Sequence, residues 1–146
     1  MKKYDTLHLV KSEDLNHHGT LFAARATAWL VEAGFATVAC EHGNTDEIVM
    51  RGLESMSFHR PVAKGAVVCF EGRVVHAGNT SLMVCVRAYD AITKQTAIEG
   101  FITFVTIDAQ TQGKKEHHIT LDETEDMEEL QLRQKGARLV EQRKRK

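Results

Sequence analysis

The sequence predicts an α+β fold, with one long helix set against a largely antiparallel sheet and a charged helix at the end. Three observations predict it. Leu21 to Cys40 is an unbroken helical pattern without proline. Four strand-like runs follow, joined by compact links. Asp122 to Gln142 is then a helical stretch with acids leading and bases trailing, the order a helix dipole favours.

Taken in order, Thr6 to Val10 alternates apolar and polar residues and reads as a first strand. Ser12 to Gly19 is polar and turn-like. The long helix has few polar members, namely Arg25, Thr27, Glu32 and Thr37, so it is expected to be wrapped by protein. Gly43 and Asn44 close it, as helix ends prefer. The strands are expected over Glu47–Phe58, Ala66–His76, Thr80–Asp90 and Thr96–Ile107. Short breaks at Pro61–Gly65, Gly78–Asn79 and Ile92–Gln95 favour antiparallel neighbours. In the second and third of these strands both alternating sets contain apolar residues, for example Val68 and Phe70 against Cys69 and Val75. An antiparallel sheet with one wet face alternates cleanly. The sheet is therefore expected to be covered twice, by the helix on one face and by another subunit over much of the other. Gln110 to His118 reads as a polar connection, and Leu130, Leu132, Leu139 and Val140 are the thin apolar content of the last helix.

Composition narrows the function. The chain has 146 residues, 42% hydrophobic and 27% charged, with a formal net charge of -1. It is long enough for one domain, residues 1–146, with a core over about 5–110 and a C-terminal helix with basic tail over 120–146. Near-zero charge argues against nucleic acid as a partner. The run Arg143–Lys146 is read more simply as cations at a helix C-terminus. Cys40, Cys69 and Cys85 have no CxxC spacing and no signal peptide precedes them, so free thiols and a cytoplasmic location are expected. No apolar run approaches a membrane span.

The stretch Asn16-His17-His18-Gly19-Thr20-Leu21-Phe22 carries the chemistry. A polar turn with a free-swinging glycine feeds directly into the long helix. The unpaired N–H groups of a helix start, beside amide and imidazole side chains, suit a developing negative charge on a carbonyl oxygen. Glu32 is a carboxylate further along the same helix, seven positions after Arg25 and so almost on its face.

Asn16–Phe22 followed by Ala28-Trp29-Leu30 resembles the start of the central helix in hotdog-fold acyl-CoA thioesterases, the acyl-CoA hydrolase branch above all. Phe58-His59-Arg60-Pro61-Val62-Ala63-Lys64-Gly65 resembles that family's Phe-x-x-Pro-Val-x-x-Gly-Asp lead into the third strand, and Gly78-Asn79-Thr80-Ser81-Leu82 its Gly-x-Thr-Ser turn. The likeness runs from about residue 5 to 142. Two positions depart from the pattern. Ala23-Ala24 stand where the family has paired glycines, and Val31 stands where it usually has the catalytic acid, with Glu32 one residue later. One residue is about 100° of helix rotation, and a π-bulge would restore the aim.

The resemblance implies a long helix wrapped by the sheet and subunits joined at least as homodimers, with tetramers or hexamers beyond them. It implies hydrolysis of an acyl-CoA thioester by carboxylate-activated water at a site shared between subunits. Coenzyme A is then part of the substrate, and no metal or other cofactor and no membrane partner is expected. Glu32 becomes the candidate base or nucleophile, against a buried acid paired with a base. Asn16 is a candidate to position water or the thioester, against a turn or cap residue. The N–H groups of Phe22 and Ala23 are candidate oxyanion donors. His18 is a candidate to polarise the carbonyl, and His17 and Gly19 to contact substrate, although solvated loop histidines are the commoner outcome. The two histidines lack metal-ligand spacing. Asn79, Thr80 and Ser81 would lie near the coenzyme A arm, and Arg60, Lys64 or Arg73 near its phosphates. Three alternatives stay open: an acyl-CoA-binding protein of the same fold without turnover, a dehydratase using a histidine with an acid, and a purely structural assembly protein.

Overall fold

The computed structural model describes residues 1–145. Its order is β1 (Tyr4–Leu9), α1 (Ala23–His42), β2 (Ile48–Phe58), β3 (Val67–Ala77), β4 (Ser81–Asp90), β5 (Thr96–Thr106) and α2 (Met127–Lys144). The strands form one antiparallel sheet in the order β1-β3-β4-β5-β2. β3, β4 and β5 are hairpin neighbours, as their short links predict. β2 is not beside β3. It pairs with β5 at the far edge, so residues 59–66 carry the chain across the end of the sheet. Link length alone does not choose which edge a strand joins.

α1 lies across the inner face. Leu30, Ala33, Gly34 and Val38 face Val68, Phe70, Val84, Val86, Ile98, Ile102 and Phe104 in one buried cluster. The approach is close: a Cβ on Gly100 would stand 2.9 Å from Leu30 Cδ1, so only glycine admits that leucine. The helix ends in a left-handed Gly43, whose N–H donates to the Ala39 carbonyl at 2.7 Å.

The outer face carries the other apolar set, Val75, Met83, Cys85 and Phe101. What covers it is this chain's own α2, through Leu132, Gly136 and Val140, and not a second subunit as the double patterning suggested. Positions 132, 136 and 140 repeat every four residues, which makes one narrow stripe on an otherwise charged helix. Arg73 of β3, only 1% exposed, anchors the N-terminal half of α2. Its guanidinium donates to Glu129 at 2.9 Å, to Glu71 at 2.8 Å and to Glu128 at 2.9 Å. Arg87 donates to Glu128 and Arg133 to Glu129, closing the network. Burial works against the Arg73 charge, but the hydrogen-bonded carboxylates of Glu129 and Glu128, with Glu71, outweigh it and hold the group above the ordinary arginine range.

β2 is an edge strand of 11 residues, bulged near Gly52 and again near Ser55. Val49, Met50, Leu53 and Phe58 on it are exposed. Among the described residues no helix is long and apolar enough to cross a membrane.

Candidate active site

The chain between β1 and α1 folds into a small closed loop. The backbone N–H of Asn16 donates to the Thr20 carbonyl at 2.8 Å, and that of Gly19 to the Asn16 carbonyl at 3.1 Å. The Asn16 side-chain oxygen accepts from the His18 and Thr20 amides at 2.8 and 3.2 Å, and its amide nitrogen donates to Thr20 Oγ1 at 3.1 Å. Asn16 therefore organises this loop from within. Gly19 has φ +82°, a left-handed conformation that a side chain would strain. The loop is zipped to residues 62–63: the Leu21 amide donates to the Val62 carbonyl at 2.8 Å, and Thr20 bridges Ala63.

These bonds decide which amides at the start of α1 remain available. No side chain caps the helix, whose first internal bond runs from the Ala26 amide to the Phe22 carbonyl. The Phe22 amide is spent on the Asp14 carbonyl at 2.8 Å, which removes it as an oxyanion donor. Among the described residues the amides of Ala23, Ala24 and Arg25 have no acceptor. Helix geometry points these groups outward along the axis, where the positive end of the dipole reinforces them.

The Ala23 end of the helix opens into a cleft of about 380 Å³, lined by Asn16, Thr20, Leu21, Ala23, Phe58, His59, Arg60 and Pro61. No carboxylate lines it, and Arg60 is the fixed charge of its wall. Arg60 Nη1 donates to Gln95 at 2.6 Å, across the mouth of a second hollow of about 200 Å³ that runs behind Pro61 to Ala66, Val68 and Ala97. His17 and His18 are exposed beside each other, ring centroids 3.9 Å apart, at the tip of the loop. Lys64 is exposed on the neighbouring turn.

Glu32 is elsewhere. α1 is a regular α-helix from Ala23 to His42, with no π-bulge to shift its aim. Glu32 follows the fully buried Leu30 by two positions, about 200° of rotation, so it projects away from the sheet. It is exposed and, among the described residues, makes no hydrogen bond or ion pair. Val31 is half-buried against the core.

Asn79, Thr80 and Ser81 form the β3–β4 turn at the opposite end of the sheet from the Asn16 loop. The 11 residues of β3 separate them, roughly 35 Å at strand rise. The backbone carbonyls of this turn are occupied: Thr80 O accepts from the Thr106 amide, Asn79 O from that of His117, and Ser81 O bonds the His117 ring at 2.9 Å. Beside it Glu47 bonds His42 at 2.8 Å and Lys115 at 2.5 Å, and these partners, Lys115 first, hold its carboxyl below the usual glutamate range. Arg73 is buried and fully paired, which excludes it as a surface phosphate contact. Burial pushes the Cys85 thiol up to about 12 and raises that of Cys69, so neither supplies a thiolate. Among the described residues no group of three or more His, Cys, Asp or Glu side chains is arranged to hold a metal ion.

His59 is the cleft residue that sequence reasoning passed over. It stood only as a filler between Phe58 and Pro61. It meets the Asn16 loop through contacts between residues some forty positions apart, which no local pattern records.

One long helix laid across a five-stranded antiparallel sheet, its N-terminus opening on a polar cleft, defines a hotdog-fold protein. The chain belongs to the thioesterase superfamily, whose family model matches residues 18–97. It is similar to the uncharacterized acyl-CoA thioester hydrolase YkhA of Bacillus subtilis, 26% identical over 100 residues. That match covers 66% of this chain but only 57% of the relative, so it spans little more than half of that protein's length. Among solved structures it is similar to an acyl-CoA hydrolase from Staphylococcus aureus, determined with butyryl coenzyme A, coenzyme A and coenzyme A disulfide. The TM-score is 0.85 at 25% identity, over 97% of this chain and 84% of that one. That hydrolase has also been solved with a threonine, an aspartate or an asparagine replaced by alanine. A hexameric acyl-CoA thioesterase matches with a TM-score of 0.81 at 26% identity, over 98% of this chain and 91% of that one.

Proposed function

We propose that this chain hydrolyses acyl-CoA thioesters to the free acid and coenzyme A, working in the cytoplasm as a homodimer or a larger assembly of dimers. The observation that carries this reading is the unspent amide of Ala23 opening into a cleft without carboxylates, on a fold shared with acyl-CoA hydrolases. Such a donor answers the charge that appears on the carbonyl oxygen when water attacks. A site without carboxylates also suits a substrate with several phosphate charges. Arg60, Lys64, His17 and His18 lie around it to meet those charges, and Asn16 holds the loop that forms one wall. No metal or redox group enters this reaction.

Two features support a shared site. Asn79–Ser81 and the Asn16 loop stand at opposite ends of one chain, so a substrate touching both would bridge two copies. The long apolar edge of β2 needs a cover, and a second β2 supplies one. In such an assembly Glu32 faces a partner, since it is not part of the lining of this chain's own cleft.

The test is release of coenzyme A thiol from acyl-CoAs of several chain lengths by the purified protein. Turnover of any of them supports the reading, and no turnover with any of them overturns it. A second reading, acyl-CoA binding without hydrolysis, is favoured by one observation. In the Staphylococcus aureus enzyme the replaced asparagine and aspartate stand fifteen positions apart. Fifteen positions after Asn16 this chain has Val31. Tight binding of acyl-CoA with no thiol release would decide for that alternative. The dehydratase alternative requires a histidine paired with an acid, and the cleft of a single chain offers the histidine alone.

A further inference from the structure

We propose that His59 is the general base of this site, taking the role that a carboxylate on the central helix would otherwise fill; the inference rests on the thioesterase reading above. His59 follows directly after β2, and its backbone N–H donates to the Ala97 carbonyl at 2.7 Å, which fixes its Cα at the cleft wall. Its ring is free: among the described residues the imidazole makes no hydrogen bond and no ion pair. Across the same cleft stand Asn16 and the unspent Ala23 amide. The other titratable side chain of the lining is Arg60, which cannot accept a proton at neutral pH and is tied to Gln95. Val31 has no proton chemistry, and Glu32 projects away from the sheet. The imidazole is thus the proton acceptor that this chain presents to its own oxyanion donor.

The chemistry balances without a co-reactant. The oxygen of a water molecule forms a bond to the thioester carbonyl carbon while the ring nitrogen of His59 takes one of its protons. The carbonyl π electrons move to oxygen, where the Ala23 N–H meets the developing charge. Collapse of the adduct breaks the carbon–sulfur bond, and the leaving thiolate takes the proton from the imidazolium. The products are a carboxylic acid and coenzyme A.

The experiment compares the wild-type chain with His59→Gln, His59→Ala and Glu32→Ala by thiol release from acyl-CoA across a range of pH. The expected result for His59→Gln is a fall in kcat of about 10²–10⁴ with little change in KM. The limb of the pH profile set by imidazole protonation disappears with it. Added imidazole partly restores His59→Ala, a rescue that a merely structural role would not give. Because the side chain is exposed, circular dichroism and melting of both variants match the wild type. Wild-type turnover retained in full by His59→Gln, or lost in Glu32→Ala while His59→Gln stays active, overturns the assignment alone. No turnover by the wild type overturns the thioesterase reading, and the base with it.

Discussion

Two polar regions of this molecule are built on opposite plans. Beneath α2, the guanidinium of Arg73 meets three carboxylates, and two of those meet a second arginine. At the start of α1, three backbone amides and the imidazoles of His17, His18 and His59 make no hydrogen bond among the described residues. The first region holds the fold together, so any charge left open there would cost stability. The second is left open at the surface, where water can satisfy the donors and, on the reading proposed above, a ligand would replace it. The difference separates scaffold from site more clearly than burial does, since both regions are rich in polar atoms.

The sharpest way to break the comparison is Arg73→Ala. It takes the buried guanidinium from Glu71 and from Glu129, which is 4% exposed and keeps only Arg133 and the N-terminal ammonium beside it, and a loss of about 3 kcal/mol is expected in urea unfolding. A variant as stable as the wild type would mean that this network is not what fastens α2. Next comes Asn16→Ala, which deletes the acceptor shared by two amides of the loop. It is expected to cost about 1–2 kcal/mol, and at least about ten-fold in thiol release because one wall of the cleft loosens. Gly19→Ala forces a side chain into the left-handed region and should cost about 1 kcal/mol by thermal melting, with a smaller effect on turnover.

A weaker effect appears with acid. The Glu47 carboxyl is held low by Lys115 and then His42. Its contribution is therefore present above the unfolded glutamate range and disappears as pH falls through its lower folded value. Stability measured on acidification should decline through that window, and Glu47→Gln should flatten the decline. The smallest effect belongs to Glu32→Ala. With no bond to lose among the described residues, it should change stability by less than about 0.5 kcal/mol. A larger loss in solutions where the protein is assembled than in dilute ones would place Glu32 at a subunit contact.

Most of the fold was legible in the sequence. α1 and all five strands fall within two residues of their expected places, because a period of 3.6 or 2 is written in consecutive residues, whereas the last helix begins at Met127, five residues after the expected Asp122, where the Asp126 side chain caps it. Strand order was less so: nothing local tells β2 to join β5. The cover on the outer face was misread for a related reason. Leu132, Gly136 and Val140 make too thin a stripe to announce what they bury. Around the candidate cleft, Asn16 and Ala23 of its lining and the loop glycine Gly19 could be read from neighbouring positions in the sequence. The loss of the Phe22 amide to Asp14 was not visible there. Nor was the arrival of His59, since both depend on how residues 11–22 and 58–63 close on each other.

The narrowness of the α2 stripe bears on how the chain acquires its shape. A segment with glycine at its centre and three buried contacts has little reason to coil on its own. A synthetic peptide of residues 127–144 should be mostly unstructured, and its ellipticity in the intact chain would then report that the strands beneath it have already assembled.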